Sequence, residues 1–126
     1  MAPEVLMGHT YNEKVDVFSF GIILYELMAC VLLAGRVAMA AEHDELLDYA
    51  RSVANGHREA LPMAWPAPLR ELISSCWAQE PADRPSFKEV MLSLRKLRML
   101  GVHEQLDALR PKGAYNPATD CGCSIM

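Results

Sequence analysis

At 126 residues, with 52% apolar and 22% charged side chains, the chain has room for one domain with a modest core, since single domains commonly run near ~100–150 residues. A formal charge of −4 argues against nucleic acid as the main partner, because phosphate binding draws its affinity from clustered Lys and Arg. Four cysteines form no framework of staples: Cys30 and Cys76 sit inside apolar helical patterns, and Cys121 and Cys123 crowd the terminus, which fits a reducing compartment.

The chain opens on MAPEVL, with no basic region leading into an apolar run, so no secretory signal is expected. The polar stretch MGHTYNEK then leads to a helix starting near Asn12 or Glu13. From Val15 to Leu33 the sequence VDVFSFGIILYELMACVLL is apolar on almost every side, the pattern of a helix central to a larger protein or within a membrane. Its length would permit a span, but Asp16 and Glu26 oppose one, each costing on the order of ~2–3 kcal/mol near a bilayer centre.

After Gly35 and an alanine-rich connector, EHDELLDYARSVANGH reads as an amphipathic helix carrying Leu46, Leu47, Tyr49, Ala50 and Val53, closed by Asn55 and Gly56. Pro62, Pro66 and Pro68 make LPMAWPAP an ordered loop, with Pro68 suited to the first turn of a third helix over Leu69 to Ala78. Leu72, Ile73 and Cys76 form its apolar stripe and Trp77 closes it. The two prolines of EPADRP break the chain again, and Ser86 with Glu89 three residues on is a capping-box signature for a last helix to about Met99. Val90, Met91, Leu94 and Leu97 are its expected core face, while Arg95, Lys96 and Arg98 read as its wet face. No strand pattern and no repeat is visible, so the fold class is all-α.

Three segments, in order, resemble the C-terminal part of the large lobe of a eukaryotic protein kinase, most closely the tyrosine-kinase-like group. MAPEV is similar to the end of the activation segment, and DVFSFGIILYELM to the buried central helix usually called αF. CWAQEPADRPSFKEV resembles the stretch in which Trp, Pro and Arg precede the lobe's last helix. The resemblance covers residues 1–100 as a partial lobe with helices like αF, αG, αH and αI, leaving 101–126 as a flexible tail.

The resemblance implies a buried ion pair between Glu4 and Arg84, a structural tie and not a catalytic one, with a guanidinium better suited than an ammonium to a buried carboxylate. It also implies that Asp16 would accept hydrogen bonds from backbone N–H groups of a catalytic loop. This sequence has no such loop, so the carboxylate should either raise its pKa or reach water. Trp77 reads as a core aromatic against the nearby prolines, not a ligand platform.

Phosphoryl transfer in this family needs a Gly-rich cover, a lysine paired with a helix glutamate, a catalytic Asp with its Asn, and a metal-binding Asp in an Asp-Phe-Gly triplet. None of these occurs here, so no catalytic, cofactor-binding or metal residue is assigned, and the isolated chain is expected to be inactive. His9, His43, His57 and His103 share no ligand spacing with one another or with the Cys-x-Cys pair. A parent kinase would use ATP and magnesium on protein hydroxyls. The chain's expected partners are then the missing N-terminal part of the domain and protein substrates or regulators.

The final CSIM fits a prenylation signal at Cys123 apart from Ser124, and Cys121 is placed to carry a palmitoyl group as a second anchor. The segment before it, RPKGAYNPATD, reads as a tether without a polybasic patch. The location implied is cytoplasmic, with membrane association through the C-terminal lipid. The first alternative is a non-catalytic, kinase-derived interaction module, presenting the helix from Asp44 to Asn55 and its neighbouring surface. The second is a small membrane protein built on Val15 to Leu33.

An apolar rod without its full cover should make the isolated chain a poor independent folder. Size-exclusion and thermal scans are expected to show association and a broad transition; a monodisperse monomer with a sharp cooperative transition would contradict this.

Overall fold

The computed structural model describes residues 1–31, 33 and 43–109. Among the described residues six α-helices follow in order: α1 (Pro3–Leu6), α2 (Lys14–Ala29), α3 (His43–Ala54), α4 (Ala67–Cys76), α5 (Phe87–Met99) and α6 (Val102–Leu109), with a 3₁₀ turn at Pro81–Asp83 before α5. No strand occurs among the described residues, and the all-α class follows from the same pattern that the sequence shows.

The longest helix, α2, organises the others. It packs on α4 and on the 3₁₀ turn, α4 packs on α5, and α5 on α6, while α1 lies against α3. Val17, Phe18, Leu24 and Tyr25 of α2 meet Leu69, Leu72, Ile73 and Cys76 of α4 in one apolar cluster with Trp65, Trp77, Val90 and Leu97. Close contact between the two central helices depends on Gly21. A Cβ there would lie 2.8 Å from Cys76 Cβ and 3.3 Å from the Trp77 backbone nitrogen. Cys76 is fully buried, and burial pushes its thiol up to about 11, so it serves as a small apolar filler and not as a nucleophile.

Helix α2 is shorter than its apolar run. It ends at Ala29, not Leu33, because Cys30 takes up the left-handed conformation at φ 54°. The Glu26 carboxylate then receives the Leu33 N–H at 2.7 Å, while the Glu26 carbonyl receives that of Val31. A side chain capturing the backbone beyond the helix offers the chain an alternative to another helical turn. Among the described residues no helix is long and apolar enough to cross a membrane. The rod is also covered unevenly: Ile23 is 52% and Leu27 64% exposed, on the flank of α2 away from the core.

The remaining boundaries move for local reasons. Helix α4 starts at Ala67, two residues before the expected Leu69, with Pro68 in its first turn where a missing N–H costs nothing. It ends at Cys76, short of the expected Ala78, as Trp77 turns out of helical geometry. Helix α5 starts on the reciprocal Ser86–Glu89 capping box. Met91, expected in its core face, is 45% exposed, because Val90 and Leu97 suffice to seat the helix and Leu94 is only partly covered. Residues 102–109, read as the start of a flexible tail, form α6: Gly101 turns the chain at φ +69°, Val102 is buried and Leu106 packs on the core cluster.

Replacing Gly21 by Ala is expected to lower unfolding free energy by about 1–3 kcal/mol, since the new methyl meets Cys76 Cβ and the Trp77 backbone, which cannot swing aside. Denaturant titration checks this; an unchanged midpoint would mean that α2 and α4 can separate freely.

Candidate functional site: a buried guanidinium cluster

Arg84 follows the 3₁₀ turn with an extended backbone, which carries its side chain into the gap between α1, the start of α2 and the 77–79 segment. It is 1% exposed. A guanidinium has five N–H donors and no way to discard its charge, so burial is tolerable only if each donor finds an acceptor. Each does. Nη1 donates to Glu4 Oε1 at 2.7 Å and to the Lys14 carbonyl at 3.0 Å. Nη2 donates to Glu4 Oε2 at 3.0 Å and to the Gln79 carbonyl at 3.2 Å. Nε donates to the Ala78 carbonyl at 2.9 Å. Lys14 Nζ in turn donates to the Arg84 carbonyl.

Glu4 is held by α1, whose Pro3 sets the first helical turn. The Arg84 hydrogen bond holds its carboxyl below the ordinary carboxylate value of 4.5, against the opposing effect of burial.

A second cation stands beside the first. Arg58, half-buried, donates from Nε to the Trp77 carbonyl at 2.8 Å and from Nη1 to the carbonyls of Val53 at 2.9 Å and His57 at 2.6 Å. Its Nη2 reaches Gln79 Oε1 at 2.9 Å, and Gln79 Nε2 donates to the Ala54 carbonyl at 2.8 Å. At the end of α3 the Val53 carbonyl, which also receives the Gly56 N–H at 3.1 Å, and the Ala54 carbonyl are thus taken up by Arg58 and Gln79. The guanidinium carbons of Arg58 and Arg84 each lie 4.9 Å from the centroid of the Phe18 ring, whose face attracts cations. Burial, followed by the nearby Arg84 charge, pulls the Arg58 pKa down from its usual value.

The structure therefore brings Glu4 and Arg84 together, on a lattice with Lys14 and the 77–79 backbone. Asp16 is not part of it: the residue is exposed, so its carboxylate takes the route to water. Trp77 lies 4% exposed with its ring 5.5 Å from that of Tyr25, and the Tyr25 ring also meets Trp65 at 5.8 Å. Cys121 and Cys123 lie outside the described residues. Phe18, Arg58 and Gln79 escaped sequence reasoning. Phe18 was one apolar residue among many in the rod, and nothing in the spacing of Arg58 or Gln79 distinguishes either from a surface polar residue.

Beside the cluster, α3 presents Glu45, Leu47, Asp48 and Arg51 to solvent, while its Tyr49 hydroxyl turns to Glu59 Oε1 at 3.3 Å. Burial, then the Glu59 charge, pushes the Tyr49 phenol up to about 12.

The donor set speaks to chemistry. The five Arg84 donors are spent on one carboxylate and backbone carbonyls, which leaves none for a phosphate, and Arg58 gives four hydrogen bonds to backbone carbonyls and the Gln79 side chain. Among the described residues no three His, Cys, Asp or Glu side chains are grouped to hold a metal ion. In its geometry the cluster is a brace between separated segments.

Comparison with known proteins places this geometry among relatives. Residues 1–94 match the family described as protein tyrosine and serine/threonine kinase. The chain is 43% identical over 91 residues to the dual specificity protein kinase shkE of Dictyostelium discoideum, covering 71% of this chain and 12% of that protein. It is 37% identical over 97 residues to the dual specificity protein kinase pyk3 of the same organism, covering 77% of this chain and 7% of that protein. A probable serine/threonine-protein kinase from this organism is 41% identical over 98 residues, covering 77% of this chain and 10% of its own length. The chain thus spans about a tenth of the length of the curated relatives it matches.

Truncating Arg84 to Ala leaves the Glu4 charge buried without its partner and should cost about 3–5 kcal/mol, enough to abolish cooperative unfolding in a marginal chain. Because the folded-state pKa of Glu4 is depressed, its contribution is fully present above about 4.5 and is lost as pH falls through the lower folded value. Denaturant midpoints measured from pH 7 down to pH 3 should show this loss in the parent chain. The Glu4→Gln chain should start less stable and lack that component of the slope; an identical pH profile for the two would contradict the pairing.

Proposed function

Because the chain belongs to the protein tyrosine and serine/threonine kinase family, we propose that it forms the C-terminal part of a kinase large lobe, a bracing and docking portion whose catalytic machinery lies in upstream sequence. The parent enzyme transfers a phosphoryl group from ATP, with magnesium, to Ser, Thr or Tyr hydroxyls of protein substrates. This chain contributes no residue to that step. Its sequence carries none of the nucleotide or catalytic motifs, and by itself it is inactive.

The observation that carries this reading is the uncovered flank of α2. Ile23 and Leu27, in mid-helix, are more than half exposed on the one helix against which the rest of the chain packs. A large apolar surface on a central helix is the mark of a missing neighbour. That neighbour, in this reading, is the N-terminal portion of the same domain, and it would also supply the backbone donors that Asp16 lacks. Helix α3, held at its C-terminal end by Arg58 and Gln79, offers its exposed Glu45, Leu47 and Asp48 to substrates or regulators.

The location we assign is the cytoplasm, consistent with the free thiols of Cys30 and Cys76. The terminal CSIM would take a prenyl group at Cys123, with Cys121 as the second acylation site.

Two measurements test the reading. Extending the transcript upstream should reveal, in frame, Gly-rich, His-Arg-Asp and Asp-Phe-Gly segments, and an in-frame stop before Met1 would overturn it. Titrating the purified chain with ATP and magnesium should give no thermal shift and no phosphate transfer to a generic protein substrate. Transfer by the isolated chain would place catalysis where we assign none.

A further inference from the structure

The geometry points to the outward face of α5 as a docking surface for an anionic lipid bilayer. From its sequence, α5 has an ordinary amphipathic pattern with a wet cationic side, and the structure changes that reading. Lys88, Leu92, Arg95 and Met99 succeed one another at spacings of four, three and four, which sets them in one row along the helix, and Met91, three residues from Lys88 and four from Arg95, lies along its edge. All five are exposed: Met91 at 45%, Leu92 at 52% and Met99 at 88%. Leu100, just past the helix, is 52% exposed. The inward side is occupied by Val90, Leu94 and Leu97, so the row cannot be the core face set slightly askew.

Charge and apolarity coincide on this row. Helix α5 carries Lys88, Arg95, Lys96 and Arg98 against a single carboxylate, Glu89, in a chain whose net charge is −4. Glu89 is occupied at the helix start, accepting from the Ser86 N–H at 2.7 Å and the Ser86 hydroxyl at 2.9 Å. Lys96 and Arg98 flank the row. Lys96 shares a cavity rim with Glu71, and Arg98 lies beside His103 where α6 meets α5. Lys88 and Arg95 are therefore the cations at its centre, with Met91, Leu92 and Met99 interleaved.

A solvated face would carry the cations without the methionines. A duplex-binding face would do the same, since phosphate contacts are made by Lys and Arg. Unbranched and branched apolar side chains set between cations are what an interfacial helix needs: the cations meet lipid headgroups, and the apolar side chains enter the headgroup boundary. A row on one helix is convex, and about 20 Å of helix lies flat on a plane without requiring a complementary groove. The inference does not rest on lipidation of Cys123, and it supplies the basic element that RPKGAYNPATD lacks.

The test is flotation of the full 126-residue chain with Cys121→Ser and Cys123→Ser, so that no lipid is attached, on vesicles of phosphatidylcholine alone or with a third phosphatidylserine. Flotation separates vesicle-bound protein from aggregates, which sink. The chain should float with the anionic vesicles and not with the neutral ones. Lys88→Gln with Arg95→Gln should weaken the partition roughly 25-fold, at about fivefold per cation. Leu92→Gln with Met99→Gln, which keeps charge and helix propensity, should weaken it about tenfold. Ile23→Ser with Leu27→Ser, on the other exposed apolar flank, should leave it unchanged. Failure to float with anionic vesicles, or flotation lost only with the Ile23 and Leu27 pair, would overturn the inference. So would binding that responds to the cations alone and equally to duplex DNA, which would make the face a general polyanion site.

Discussion

Burying the Arg84 guanidinium imposes the constraint from which the rest of the arrangement follows. A permanently charged group at 1% exposure needs a counter-ion and an acceptor for every N–H, and no single element could supply them. Glu4 comes from α1, one carbonyl from the start of α2, and two from the segment between α4 and the 3₁₀ turn. The demand of one side chain therefore fixes the mutual positions of three separated pieces of chain. The pair's value lies in that specification more than in net energy, since a buried ion pair gains little over well-packed apolar groups while a broken one is costly.

Arg58 extends the same logic with no second carboxylate. Glu4 pairs with Arg84 alone, and the Arg58 charge is met by backbone carbonyls, by Gln79 Oε1 and by the face of Phe18. Irregular segments such as 57–66 and 77–86 leave carbonyls that no helix or sheet satisfies. Fork-shaped, multi-donor side chains are an economical way to satisfy them. Phe18 is placed for this by α2, whose opposite requirement, close approach to α4, is met by Gly21 one turn later. One turn of α2 thus carries both a face of the polar brace and the close approach to α4.

Much of this was legible in the sequence, though unevenly. The Ser86–Glu89 capping box, the proline-set start of α4 and the existence of α2, α3, α4 and α5 are short-range consequences of caps, prolines and period, and they are visible without tertiary information. The Glu4–Arg84 contact spans eighty positions, and no local rule reaches that far; it entered through resemblance to a family, and the coordinates supply its geometry. The misplaced end of α2 shows the limit of hydropathy: Cys30 and Glu26 stop the helix although the apolar run continues. Met91 shows another, since periodicity gives the centre of a buried stripe well and its edges poorly. Arg58 and Gln79 had no signal at all, because a polar residue in a loop looks the same whether its donors meet water or carbonyls.

Helix α3 is where these strands of argument join. Its C-terminal carbonyls are gripped by Arg58 and Gln79, and the Gln79 backbone carbonyl is gripped in turn by Arg84. Helix α1, which carries Glu4, lies against α3 from another direction. The orientation of the exposed α3 surface is thus referred twice to the Glu4–Arg84 pair, once through Gln79 and once through α1. A helix surface fixed in this way has little freedom left to lose, because the ordering cost has been met in the fold. The buried charges are, on this account, the means by which the exposed surface of α3 is kept in place.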